Sequence, residues 1–138
     1  MGISNHLLAQ NETNIKTMDR TRKFRQAAIA YLHVGLLYEG AALAMWRGGL
    51  LPERMGPAWL WMLLGAGITG LVVWGLWHWQ RPWIAVVVWV IHALRVPTLI
   101  RGAFVSPETQ TLAPEFYLTA LVVVTINLWM LARAAWDI

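Results

Sequence analysis

Four apolar runs, at roughly 27–46, 58–79, 83–105 and 116–136, alternate along the chain with short polar or proline-bearing links. Each run is close to the ~20 residues that a helix needs to cross the hydrocarbon core of a bilayer. The pattern predicts an all-α integral membrane protein, a bundle of four transmembrane helices. The first run ends at Trp46-Arg47-Gly48-Gly49, with Pro52 in the following turn, and Gly56-Pro57 opens the second. Gln80-Arg81-Pro82 is too short a link for anything but a tight antiparallel hairpin of the second and third spans. A longer loop from Ser106 to Pro114 precedes the last span, and no internal repeat relates the two halves.

Residues 1–25 form a polar, basic tail expected to lack fixed structure, and residues 26–138 form the transmembrane domain. The tail has no apolar stretch followed by a small-residue cleavage site, so it does not read as a cleavable signal peptide. His6 occupies the position where N-myristoylation after Gly2 asks for Ser or Thr. Met18 stands directly before Asp19-Arg20-Thr21-Arg22-Lys23 and is an alternative start, and residues 1–17 are expected to be disordered.

Composition strengthens the membrane reading. Hydrophobic residues make up 58% of the 138 positions and charged ones 13%, against about 25% charged in soluble domains. Only the lipid bilayer can cover that much apolar surface. The pI near 10.1 does not point to nucleic acid, because no helix remains to carry base-reading residues. The basic residues instead set topology and meet anionic headgroups. With the N-terminus inside, the cytoplasmic side receives Lys16, Arg20, Arg22, Lys23, Arg25, Arg81 and Arg133, and the other side Arg47, Arg54 and a snorkelling Arg101. The expectation is N-in and C-in, multi-pass in a cell membrane, with a bacterial inner membrane as the expected one. There is no cysteine, hence no disulfide, thiolate metal site or thiol chemistry.

The 10 tryptophans gather near span ends, as in an aromatic belt at headgroup level. Trp74 and Trp89 lie deeper and are candidates for a pocket wall. In the second span, Ala66 and Gly70 at four-residue spacing allow close helix approach, within the bundle or, as the lesser alternative, at a dimer or partner-subunit seam.

The candidate chemistry lies in polar residues inside the apolar runs: Glu39, His92, Arg95 and Asn127, with His33 in doubt. A charge at membrane depth costs from about 2.5 to over 10 kcal/mol unless it is paired or reaches water. At 100° per residue, Tyr31, Gly35, Tyr38 and Glu39 share one stripe of the first span, and His33 falls on nearly the opposite face. His92 and Arg95 share a face of the third span, and Asn127 lies on one face of the fourth. Counting from the same side, Glu39 and Arg95 both sit roughly 18–20 Å along their helices. A Glu39–Arg95 ion pair is therefore expected, in a pocket formed by spans one, three and four, with His92 and Asn127 about one turn nearer the cytoplasm. Pro97 should break the third span there.

These residues suggest Glu39 or His92 as an acid/base and Arg95 as an anion clamp, with Tyr38, Trp89 and Asn127 as ligand-contacting groups. A purely structural Glu–Arg pair, with Asn127 bonding across helices, is the bland alternative. No metal-ligand spacing occurs, and Ser4 and Ser106, both in polar segments, offer no buried nucleophile. His33 and His92, at similar depth, raise bis-histidine haem ligation, but no motif supports it and no cofactor is named. One carboxylate in the first of four spans is similar in outline to small multidrug transporters. However, Leu37-Tyr38-Glu39-Gly40-Ala41 departs from that pattern, and the charge bias opposes an inverted dimer. The expected role is an accessory subunit or a bundle binding a small apolar ligand at a Glu–Arg pocket. The alternatives are acid/base chemistry on a lipophilic substrate or proton-coupled transport. Expected partners are the bilayer, other membrane subunits or a second copy, and a lipophilic small molecule, but not nucleic acid.

Overall fold

The computed structural model describes residues 2–50, 57–105 and 112–138, with side chains described from Leu8 onward. The helices are α1 (Gly2–Arg47), α2 (Ala58–Trp74, continued by a π-helical turn Gly75–Trp79), α3 (Pro82–Ala93), α4 (Val96–Phe104) and α5 (Pro114–Trp136). No strand occurs among the described residues. The third apolar run is α3 and α4 end to end, so the described residues form four helical segments long and apolar enough to cross a membrane. The protein is an all-α transmembrane bundle.

The polar tail departs from expectation. Residues 2–25 continue α1, making it 46 residues long, about 69 Å at 1.5 Å per residue. Its Arg20–Gln26 stretch is tied to the other chain segments that meet at this basic end of the bundle. Arg20 Nη2 donates to the Gln80 carbonyl at 3.2 Å, and the Thr21 hydroxyl to Gln80 Oε1 at 3.2 Å. Lys23 Nζ reaches Asp137 at 2.8 Å and Asp19 at 3.3 Å. Phe24 is completely buried. The packed unit thus begins near Arg20 rather than at residue 26. Gln80 supports the tight turn with φ 48° and ψ 39°, a left-handed conformation.

Two apolar clusters make the core. The larger, at the basic end, is built around Phe24, Tyr31, Leu76, Val88 and Leu131. The smaller gathers Val34, Leu99, Ala120 and Val124. Between them on α3 and α5 lie the two buried polar side chains, His92 and Asn127. Helix α5 packs against α1, α3 and α4 and is the hub of the bundle, whereas α2 packs chiefly on α1. Beyond their short turn α2 and α3 diverge. Every tryptophan except Trp89 is exposed, as residues facing lipid and headgroups should be.

Helices α1 and α2 approach through a reciprocal pair of glycines. Gly35 of α1 faces the side chain of Thr69, and Gly65 of α2 faces the carboxylate of Glu39. A Cβ on either glycine would overlap those atoms. The Ala66/Gly70 pair is one residue out of phase with this contact: Ala66, Gly67 and Gly70 are exposed on the outer face of α2. Gly35→Val is therefore expected to push α2 away and cost about 1–3 kcal/mol. Gly70→Val should be tolerated in the isolated chain. Thermal unfolding of both variants in one detergent checks this contrast.

Candidate functional site

The face of α1 that approaches α2 also carries the residues of a cavity. Tyr31, Val34, Gly35, Tyr38 and Glu39 of α1 line one wall, Gly65, Ile68, Thr69 and Val72 of α2 a second, and Val88, Ile91, His92 and Arg95 of α3 and its break the third. Its volume is about 320 Å³, within the range of small-molecule sites. The cavity exists because α2 and α3 splay apart, leaving Ile68 and Ile91 exposed on the lipid side. The site is walled by spans one, two and three. Spans one, three and four, expected to form the pocket, instead enclose a neighbouring cavity that shares Tyr38 and Arg95 with this one but holds neither Glu39 nor His92.

Pro97 shapes the third wall. Lacking an N–H, it leaves the Ala93 carbonyl unmatched in the helical ladder, and the helix breaks at Leu94–Arg95. Arg95 N donates to His92 O at 3.1 Å across this tightened turn, and Leu99 N to Arg95 O at 3.1 Å as α4 begins. Leu94 and Arg95 keep right-handed helical dihedrals through the break, so His92 shares one cavity wall with Arg95. Its guanidinium stands over the Tyr38 ring, 5.3 Å from the centroid, while the Glu39 carboxylate turns to Gly65. The expected Glu39–Arg95 ion pair is not formed: the two charges share the cavity wall, but no Glu39 oxygen comes within 4.0 Å of Arg95. Glu39 is half-buried and Arg95 exposed. Tyr38 and Arg95 also line a neighbouring cavity of about 460 Å³ bounded by α1, α4 and α5, so their contact stands between the two spaces.

His92 is buried, with its Nδ1 bonded to the Val88 carbonyl at 2.9 Å and its ring edge-on to Tyr31 at 5.2 Å. A carbonyl can only accept, so Nδ1 carries the proton and Nε2 of the neutral ring is an acceptor. The wall thus offers a carboxylate, a guanidinium, an imidazole, the Thr69 hydroxyl and two phenols. In a largely apolar space this set suits a ligand with an apolar body and a head that both donates and accepts hydrogen bonds.

The other candidates lie elsewhere. Asn127 is fully buried on α5, and neither its Nδ2 nor its Oδ1 has a hydrogen-bond partner, so it does not bond across helices. Trp89 packs edge-on to Trp136 at 5.4 Å near the basic end and does not line the cavity. Trp74 stacks on His78 at 5.2 Å and is exposed. His33 lines a separate apolar groove of about 380 Å³ between α1 and α5, with Nδ1 on the Ile29 carbonyl at 2.8 Å. His33 and His92 therefore serve different spaces and do not face each other as axial ligands would. Among the described residues no three His, Asp or Glu side chains gather closely enough to hold a metal ion. Thr69 and Gly65 were not anticipated. Their signal was the four-residue spacing of a glycine and a small polar residue on one face of the second span.

Comparison with protein-family models, with curated proteins and with solved structures finds no match.

Proposed function

We propose that this protein is a small polytopic membrane protein that binds a lipophilic small molecule from the bilayer in the α1–α2–α3 cavity. The observation that carries this reading is that Glu39 and Arg95 line one lipid-facing cavity without neutralising each other by direct contact. Charges at membrane depth are costly, and a polar head lying between them would satisfy both. In this reading Arg95 and Thr69 donate to the ligand head, Glu39 and His92 Nε2 accept from it, and the slot between α2 and α3 admits its apolar part. Both termini lie in the cytoplasm, in keeping with the excess of Lys and Arg at the end where they meet.

A second role, as an accessory subunit, is favoured by α2. None of the residues of Ala58–Trp74 is buried, and its outer face carries the small residues Ala66, Gly67 and Gly70, which allow a helix of another subunit to approach closely.

The ligand reading is tested by thermal unfolding of the delipidated chain in neutral detergent, with the phospholipid-free fraction of a host-membrane lipid extract added back. A ligand present at a hundred times its Kd stabilises the folded state by about 2.7 kcal/mol, so the midpoint should rise measurably. The rise should be absent in Glu39→Gln. No rise, or an equal rise in that variant, would count against this site.

A further inference from the structure

We infer that the basic end of the bundle carries a binding site for the phosphate headgroup of an anionic phospholipid, at the corner where α1 meets the α2–α3 turn. Two arginines of α1 converge on that turn. Arg20 donates Nη2 to the Gln80 carbonyl at 3.2 Å, and Arg25 lies over the Trp77 ring at 5.1 Å from its centroid. Arg81 follows Gln80 directly and is exposed, so a third arginine belongs to the same turn. Each of the two anchored guanidiniums has five N–H donors in a planar fork, and a single carbonyl or an indole face leaves most of them free for a phosphate.

Charge balance favours a counterion from outside the chain. The aspartates at this end are already engaged: Asp19 by Arg22 at 2.9 Å and Lys23 at 3.3 Å, and Asp137 by Lys23 at 2.8 Å. Among the described residues, none of the ion pairs involves Arg20, Arg25 or Arg81. Three positive charges at one turn repel one another unless an anion joins them. The level of the site identifies that anion. Trp77 and its neighbours Trp79 and Trp83 are exposed, and indoles of this kind sit at the headgroup layer, where the available anions are lipid phosphates. Three guanidiniums match a headgroup with two phosphodiesters better than one with a single phosphodiester. This site is independent of the cavity described above.

The test is native mass spectrometry of the full delipidated chain, offered equal amounts of cardiolipin, phosphatidylglycerol and phosphatidylcholine. Cardiolipin should be retained at least tenfold over phosphatidylcholine, with phosphatidylglycerol between them. Each of Arg20→Gln, Arg25→Gln and Arg81→Gln should reduce that preference about fivefold, the scale of one basic side chain at an anionic surface. The triple variant should bring it near parity, while Arg101→Gln leaves it unchanged. Should the triple variant fold poorly, Arg81→Gln alone decides, since its side chain lies in the exposed turn. Equal retention of the three lipids by the native chain, or an undiminished preference in Arg81→Gln, would overturn the proposal. So would displacement of cardiolipin by a soluble poly-glutamate peptide, which would indicate an acidic protein partner.

Discussion

Asn127→Leu is expected to stabilise the bundle by about 1–3 kcal/mol, the usual cost of burying an amide that finds no partner. Asn127 lies wholly inside the protein, between the two apolar clusters, and both of its polar atoms lack a hydrogen-bond partner. Leucine has the same branched skeleton, is somewhat bulkier and carries no polar atoms. Asn127→Asp should act in the opposite direction and more strongly, because a carboxylate at that depth costs at least about 2.5 kcal/mol. Unfolding of the three forms in the same detergent gives both differences. A destabilised leucine variant would mean that the amide gains its hydrogen bonds from a bound water or another molecule, and that Asn127 belongs to a polar site after all.

The second large effect concerns Glu39 and Arg95. Removing one charge leaves the other in the cavity without an opposite charge nearby, so Glu39→Gln and Arg95→Gln should each destabilise by about 1–3 kcal/mol. This is less than for a fully desolvated pair, because Arg95 is exposed and Glu39 only half-buried. The double variant removes both charges and should return to within about 1 kcal/mol of the native stability. It should nevertheless lose the thermal shift given by the neutral lipid fraction. Stability and binding are thus expected to separate: partial recovery of the first without the second. A double variant that is stable and still binds would show the two residues to be a register device of the bundle and nothing more.

The four spans could be read because their boundaries are set by lipid thickness and by Gly and Pro at the links, all of which are local in sequence. The stripe Tyr31, Gly35, Tyr38 and Glu39 was legible for the same reason, since helical phase needs only the helix itself. The choice of a third wall was not. Both α2 and α5 pack on α1, and Gly35 meeting Thr69 and Glu39 meeting Gly65 turn the Glu39 stripe towards α2. The Ala66/Gly70 pair, one residue away, offers the same spacing on the wrong face. Glu39 and Arg95 do line one cavity, but the Arg95 guanidinium lies over the Tyr38 ring and not on the Glu39 carboxylate, a choice of side-chain partner that helical phase and depth do not determine. The tail misled for a different reason. Its polar composition resembles an unstructured segment, yet Arg20, Thr21 and Lys23 gain partners in the α2–α3 turn and at Asp137 that lie far away in sequence.

The central claim, that Glu39 and Arg95 hold a small lipophilic molecule, is tested most directly by native mass spectrometry of the native chain and the Glu39→Gln/Arg95→Gln variant, both gently extracted from the host membrane. The account predicts one small-molecule mass, distinct from any phospholipid, retained on the native chain and missing from the folded double variant. A native chain carrying no such mass, or the same mass on both proteins, would contradict it.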